Sequence, residues 1–161
     1  MLLLLFKKSL RGDIMKIWDK RFMEMAMLVG TWSDCIRPER KIGAVVANGE
    51  NLLGVGYNKV PGNMKSCIER GECIRKKNNI ESGTHQEFCY TICAEQNAIK
   101  QALMNQSDLN GATIYVSHTP CAICARWIIS TGIKRVVYHS PYTDSFSLQL
   151  LKEAGVKLEK F

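Results

Sequence analysis

Two short stretches of this chain carry residue types that can hold a metal and move a proton. Cys93-Ala94-Glu95 stands at the expected start of one helix, and Pro120-Cys121-Ala122-Ile123-Cys124 where a strand gives way to another. Three thiolates on two adjacent helix N-termini can form a tetrahedral zinc site with one position left for water, and the helix dipoles favour their negative charge. Three protein ligands plus a water is the catalytic pattern, in which zinc brings the pKa of that water towards neutrality. Glu95 lies two residues beyond a ligand. A carboxylate there can approach the water without occupying the metal, take its proton and return it to a leaving nitrogen. The competing readings are a structural zinc site and buried core thiols, neither of which needs a carboxylate at that position.

The elements that must position these residues follow from periodicity. Apolar Ile17, Trp18, Phe22, Met25, Ala26, Leu28 and Val29 repeat with helical spacing up to Gly30. The neighbouring Met23, Met25 and Met27 are expected in a core or a subunit interface. Two runs with β-branched content, 42–47 and 52–57, flank Asn48-Gly49-Glu50-Asn51, where Asn-Gly signals a hairpin. Helices are expected near 93–105, 122–131 and 145–154, alternating with strands at 112–117, 135–139 and 156–159. Such alternation argues for an α/β layered fold with a mixed sheet. Segment 58–90 has no clear period, and a loop that long needs something to order it. Residues 1–14 differ in pattern from the rest. We expect them to be an N-terminal extension outside a folded unit of residues 15–161, with disorder as one outcome.

Composition narrows the classes. A chain of 161 residues is one domain's worth, and 46% hydrophobic with 23% charged residues is ordinary for a globular protein. The longest apolar stretch, Met1 to Phe6, is too short for a membrane span or the core of a signal peptide, so a cytoplasmic location and no membrane role are expected. A net charge of +7 suits anionic partners such as nucleotides. The basic residues are dispersed, which argues against a nucleic-acid groove. Seven cysteines without an export signal read as metal ligands or catalytic groups rather than a disulfide framework.

Cys-x-Glu followed by Pro-Cys-x-x-Cys fits the zinc nucleobase deaminase signature in its three-cysteine form. From about Trp18 onward the chain resembles the deoxycytidylate (dCMP) deaminase family, in the bacterial and archaeal late-competence branch of the zinc cytidine deaminases. The resemblance is carried by Ile42-Gly43-Ala44-Val45-Val46, Gly56-Tyr57-Asn58, Cys93 through Ile99, Tyr115 through Cys121, Ala125 through Ile129 and Gly132 through Tyr138. It implies a three-layer α/β/α fold with a five-stranded mixed sheet. It also implies zinc on Cys93, Cys121 and Cys124, Glu95 as proton shuttle, and hydrolysis of dCMP to dUMP and ammonia. Asn58 would meet the sugar, the backbone around Ala94 and Pro120-Cys121 the base, and Lys59 or Lys65 the phosphate. A homo-oligomer, dimer or hexamer, is expected as in the family.

Two departures stand out. Cys93 replaces the histidine usual in this family, giving a more electron-rich zinc and weakening the choice of substrate. Lys59 and Asn63 replace glycines of a loop that in relatives helps bind regulatory dCTP. The alternatives are therefore deamination of cytidine, deoxycytidine or tRNA adenosine, or a non-catalytic zinc module.

The 58–90 segment holds Cys67, Cys73, His85 and Cys89, a set that can form a second, structural zinc site and so order the insertion. Cys35 competes as a ligand, and free thiols with a surface histidine are the plain alternative. His118 can line the pocket or simply pack, and His139 reads as structural. Tyr142 and Asp144 follow the fourth strand, where deaminases often close over substrate.

Overall fold

The computed structural model describes residues 2–141 and 144–161, and the side chains of the first helix from residue 15 on. Tyr142 lies outside the described residues. The chain runs α1 (Leu2–Gly30), β1 (Gly43–Asn48), β2 (Asn51–Tyr57), the single-turn helices α2 (Cys67–Arg70) and α3 (Ile74–Lys77), then α4 (Ala94–Met104). It continues through β3 (Thr113–His118), α5 (Ala122–Ser130), β4 (Arg135–Ser140), α6 (Ser145–Glu153) and β5 (Lys157–Lys160). The elements from β1 onward lie where periodicity places them, with ends moved by one or two residues; the first helix instead begins at Leu2, so most of the stretch expected to be an extension outside the folded unit is the start of α1.

The five strands form one mixed sheet in the order β2-β1-β3-β4-β5. β1 is antiparallel to both β2 and β3, while β3, β4 and β5 are parallel. Successive side chains of a strand point to opposite faces, so each face gathers its own core. Val45, Ala47, Tyr115 and Val137 meet Phe22, Met23 and Ala26 of α1. On the other face Ala44, Val46, Ile114, Val116 and Val136 meet Ala98, Ile99 and Ala102 of α4, Ile128 of α5 and Leu151 of α6. These are the three expected layers. Of the methionine cluster, Met23 enters the core and Met27 is exposed.

The contact that matters most for the site is between β2 and α4. A Cβ on Gly56 would stand 2.3 Å from the Ala98 nitrogen and 2.4 Å from the Ala94 oxygen, and one on Gly54 would stand 2.3 Å from the Ala98 oxygen. Only glycine in the strand lets the helix backbone lie this close. Two α4 side chains then fasten to β2: Asn97 Nδ2 donates to the Tyr57 carbonyl at 2.9 Å, and Gln101 Oε1 accepts the Val55 N–H at 2.6 Å. The start of α4, with Cys93 and Glu95, is thereby fixed to the sheet.

Segment 58–90 is ordered by local polar chemistry rather than by a hydrophobic face. Ser66 caps α2: its Oγ accepts the Glu69 N–H at 3.0 Å, and Glu69 Oε2 accepts the Ser66 N–H at 2.7 Å. The Arg75 guanidinium is only 5% exposed and donates to the carbonyls of Glu81 (2.8 Å), Thr84 (2.6 Å) and His85 (2.5 Å). One buried cation therefore gathers residues 81–85 around itself. Lys59 and Ile92 exchange backbone hydrogen bonds at the base of the segment. No helix among the described residues is long and apolar enough to cross a membrane.

Candidate active site

Cys93 is the residue before the first turn of α4, and Cys121 holds the same place before α5. Cys124 follows one turn into α5 and is buried. The three sulfurs lie within 4.8 Å of one another, the one such set of three or more ligand atoms among the described residues. Soft thiol donors converging from two helix starts suit zinc in type, number and charge. They also leave no fourth protein ligand.

The three thiols are hydrogen-bonded to one another. Cys121, hydrogen-bonded by Cys124 and Cys93 and receiving the backbone N–H groups of Cys124 and Ile123, is pushed far below an ordinary thiol. Cys93 and Cys124 are pushed well up, chiefly because each donates to the Cys121 thiolate. A thiolate favoured at Cys121 suits a cation site. Glu95 is 5% exposed, and burial first, then repulsion from Cys121, pushes its carboxyl up to about 7. The Cys124 hydrogen bond opposes that rise. Glu95 thus touches the thiol cluster without being one of its ligands.

One cavity joins these groups to the insertion. Cys93, Ala94, Glu95 and Cys121 border it together with Asn58, His118 and Thr119, and on the insertion side Cys67, Cys73, Ser82 and Cys89. Asn58 is buried; its Oδ1 accepts the Ile42 N–H and its Nδ2 donates to the Arg40 carbonyl, both at 2.8 Å. A carboxamide has two N–H donors, so one is left for a ligand. Pro120 is fully buried, its carbonyl accepts Ser147 Oγ at 2.5 Å, and it does not border the cavity; its neighbours Thr119 and Cys121 do. His118 faces the cavity, and burial, then the charge of Arg40, lowers its pKa.

Residues 16–140 match the family described as the cytidine and deoxycytidylate deaminase zinc-binding region. The chain belongs to this family. The deoxycytidylate deaminase of Schizosaccharomyces pombe is 37% identical over 145 residues, which are 89% of this chain and 44% of that relative. The chain thus spans less than half the length of this fungal protein. ComE operon protein 2 of Bacillus subtilis is 32% identical over 144 residues, 89% of this chain and 70% of its own length. Among solved structures, the dCMP deaminase of cyanophage S-TIM5 in complex with dCMP and dUMP superposes with a TM-score of 0.70 at 25% identity. That superposition covers 88% of this chain and 95% of the phage chain. The matched zinc-binding region contains Cys93, Cys121 and Cys124, the cluster whose sulfurs could hold a metal ion.

The second group of candidates is arranged differently from the sequence expectation. Cys67, Cys73 and Cys89 border the cavity, and the cysteine that joins them there is Cys35. Burial, then the nearby Cys89, Cys35 and Cys73, pushes Cys67 up to about 11. These sulfurs stand farther apart than those of the catalytic trio. His85 is exposed, with Nδ1 3.0 Å from Glu87 Oε1, and does not border the cavity. Lys59 and Lys65 do not border it either; Lys59 Nζ lies over the Tyr57 ring at 5.5 Å. The cations that do are Arg37, Arg40 and Arg75. Neither arginine ahead of β1 carries a sequence signal for this role, since both fall in an irregular segment far along the chain from either cysteine motif.

Proposed function

We propose that this chain hydrolyses the exocyclic amine of a cytosine nucleotide, converting dCMP to dUMP with release of ammonia. The observation that carries the reading is the buried Glu95 carboxylate set against three convergent thiols, with Glu95, Cys93 and Cys121 bordering one cavity. Its support from relatives is the phage dCMP deaminase solved with dCMP and dUMP, aligned over nearly all of its length. Zinc held by Cys93, Cys121 and Cys124 supplies a Lewis acid that makes water a nucleophile near neutral pH. Glu95 would take a proton from the attacking water as its oxygen bonds to C4, and deliver that proton to the leaving nitrogen as the C4–N bond breaks and ammonia departs. The backbone at Ala94 and at Thr119 and Cys121, which border the cavity on either side of Pro120, meets the base edge, and the remaining Asn58 N–H meets the sugar. The test is ultraviolet-monitored turnover of zinc-loaded protein with dCMP, deoxycytidine and CMP at equal concentration. Rapid loss of dCMP is expected, abolished in Glu95→Ala with zinc and folding retained. Turnover surviving that substitution would sink the proton-shuttle assignment.

We further infer a second, structural zinc bound by thiols of the insertion, Cys67, Cys73 and Cys89. Cys35 is the fourth ligand in place of His85, because it borders the same cavity. Ile123 and Trp127 of α5 and Phe146 of α6 are exposed apolar residues. They support the reading that the protein is a homo-oligomer, which sedimentation would test. Seven free thiols suit a reducing cytoplasm. The family match beginning at residue 16 supports a deaminase unit of 15–161 with residues 1–14 as an extension.

A further inference from the structure

β2 ends at Tyr57, so the orientation of Asn58 rests on bonds of its own rather than on the strand. Its backbone N–H donates to the Ile42 carbonyl at 3.2 Å. Its side chain accepts the Ile42 N–H and donates to the Arg40 carbonyl. Its carbonyl accepts two bonds from the segment between α1 and β1: Ser33 Oγ donates at 2.9 Å and the Asp34 N–H at 3.3 Å. These bonds engage every polar group of Asn58 except the one carboxamide N–H left for a ligand.

Ser33 is 2% exposed and does not border the cavity, so its hydroxyl cannot touch a molecule bound there. That hydroxyl is engaged on both sides. It accepts the Cys35 N–H at 3.1 Å and directs its single hydrogen to the Asn58 carbonyl. Hydrogen bonds in such a chain polarise and strengthen one another. Asp34 ties the same segment a second time, its Oδ2 accepting the Val60 N–H at 3.1 Å. Residues 33 and 34 therefore brace 58–60 from behind the cavity wall.

We propose that Ser33 is a positioning residue for the substrate: its hydroxyl fixes the Asn58 backbone, and so keeps the remaining carboxamide N–H directed at the sugar. This rests on the cytosine-nucleotide reading above, in which Asn58 meets the sugar. The sugar is common to dCMP and deoxycytidine and does not change as the base reacts. A contact made there is equally strong in ground and transition states, so its loss weakens binding and leaves the chemical step alone.

The experiment compares wild type, Ser33→Val and Ser33→Thr as zinc-loaded full chains, with Ser33→Val also placed in an Asn58→Ala background. Valine and threonine have the same shape and differ by the hydroxyl. Four quantities are read: KM and kcat for dCMP and for deoxycytidine, calorimetric binding of dUMP, and zinc per chain. Loss of one buried hydrogen bond predicts that Ser33→Val raises KM for both substrates, and the dUMP dissociation constant, by roughly 3- to 10-fold with kcat held. Ser33→Thr should recover most of that loss. With Asn58→Ala already present, Ser33→Val should add nothing, because its route to the substrate is gone.

Equal behaviour of the valine and threonine variants would overturn the proposal. So would a loss in kcat alone, a loss confined to dCMP, or a further loss in the Asn58→Ala background. Zinc lost from Ser33→Val would also overturn it, because the hydroxyl would then serve Cys35. If wild type turns over no cytosine substrate yet binds dUMP in a way that follows the Ser33 hydroxyl, the positioning role stands and the assigned reaction falls. If wild type turns over dCMP and Ser33→Val matches it, only the positioning role falls. Absence of dUMP binding by wild type would remove both. If Ser33→Val does not fold, Ser33→Ala takes its place, and if Asn58→Ala does not, the comparison with Ser33→Thr decides.

Discussion

Asp144 Oδ2 accepts the backbone N–H of Ala122 at 2.8 Å, while Oδ1 of the same carboxylate accepts the Ser147 N–H at 3.0 Å. One side chain therefore caps two helices, its own α6 and α5, which carries Cys124. Both bonds satisfy N–H groups that a helix start leaves without partners. From sequence, position 144 reads as an ordinary residue after the fourth strand, with closure over substrate the lesser reading; in the structure it holds the start of α5, between Cys121 and Cys124.

Asp144→Ala should accordingly lower stability by about 1–2 kcal/mol and loosen zinc. Thermal melting reads the first effect and competition with a chelator the second. Asp144→Asn, which keeps an acceptor oxygen, should recover most of both. Unchanged zinc affinity in Asp144→Ala would show that the sulfurs hold α5 in place without the cap.

The β2–α4 contact makes a second prediction, because the obstacle at Gly56 is helix backbone and cannot rotate away. Gly56→Ala should displace the start of α4 and cost about 1–3 kcal/mol. Turnover should fall by more than stability, since Cys93 and Glu95 ride on the displaced turn. Gly49→Ala is the comparison: that glycine has a positive φ of 58° and nothing near its would-be Cβ, so it should cost stability without touching activity.

The catalytic trio and Glu95 are legible in the sequence because helix starts, cysteine spacing and Cys-x-Glu are all local. The sheet is legible for the same reason, in runs such as Ala44–Ala47, buried on both faces. The wall opposite the zinc ligands is not. Arg75 orders 81–85 through backbone carbonyls, which leave no residue-type pattern, and Cys35 comes to the insertion thiols from the segment between α1 and β1, where Ser33 and Asp34 bond to Asn58 and Val60. Lys59 and Lys65 have the right charge in a plausible loop, but their side chains do not enter the cavity.

Acid stability should report the network that joins α1 to the sheet. Arg135 donates from Nη1 and Nη2 to the two oxygens of Asp19, both at 2.7 Å, and from Nε to Glu159; Tyr115 OH donates to Asp19 at 2.7 Å. Burial alone would raise the Asp19 carboxyl, but the hydrogen bonds from Arg135 and Tyr115 outweigh it and hold it below its ordinary value. A carboxyl depressed in the folded state binds its proton more readily when unfolded. Its stabilisation is therefore complete above the ordinary carboxylate range, near pH 4, and is lost as pH falls through the folded value. Asp19→Asn should cost about 1.5–3 kcal/mol at pH 7, and its melting temperature should fall less than that of wild type between pH 5 and pH 3. Parallel curves for the two proteins would remove Asp19 from the acid response.

Metal stoichiometry separates the two thiol groups. With both sites filled the chain should bind two zinc ions, read by atomic emission after gel filtration. Cys35→Ser should lose one of them and leave the other, with Glu95-dependent turnover, in place. His85→Ala should keep two, since that ring faces solvent beside Glu87. The reason for the asymmetry lies in the geometry: the sulfurs of Cys93, Cys121 and Cys124 lie within 4.8 Å of one another at two helix starts, whereas the insertion thiols form no such close set and would be drawn together by the ion. Zinc at the second site should therefore protect 65–90 from proteolysis, while zinc at the first should change that segment little. One zinc per wild-type chain, or loss of the second ion in His85→Ala, would defeat the four-cysteine assignment.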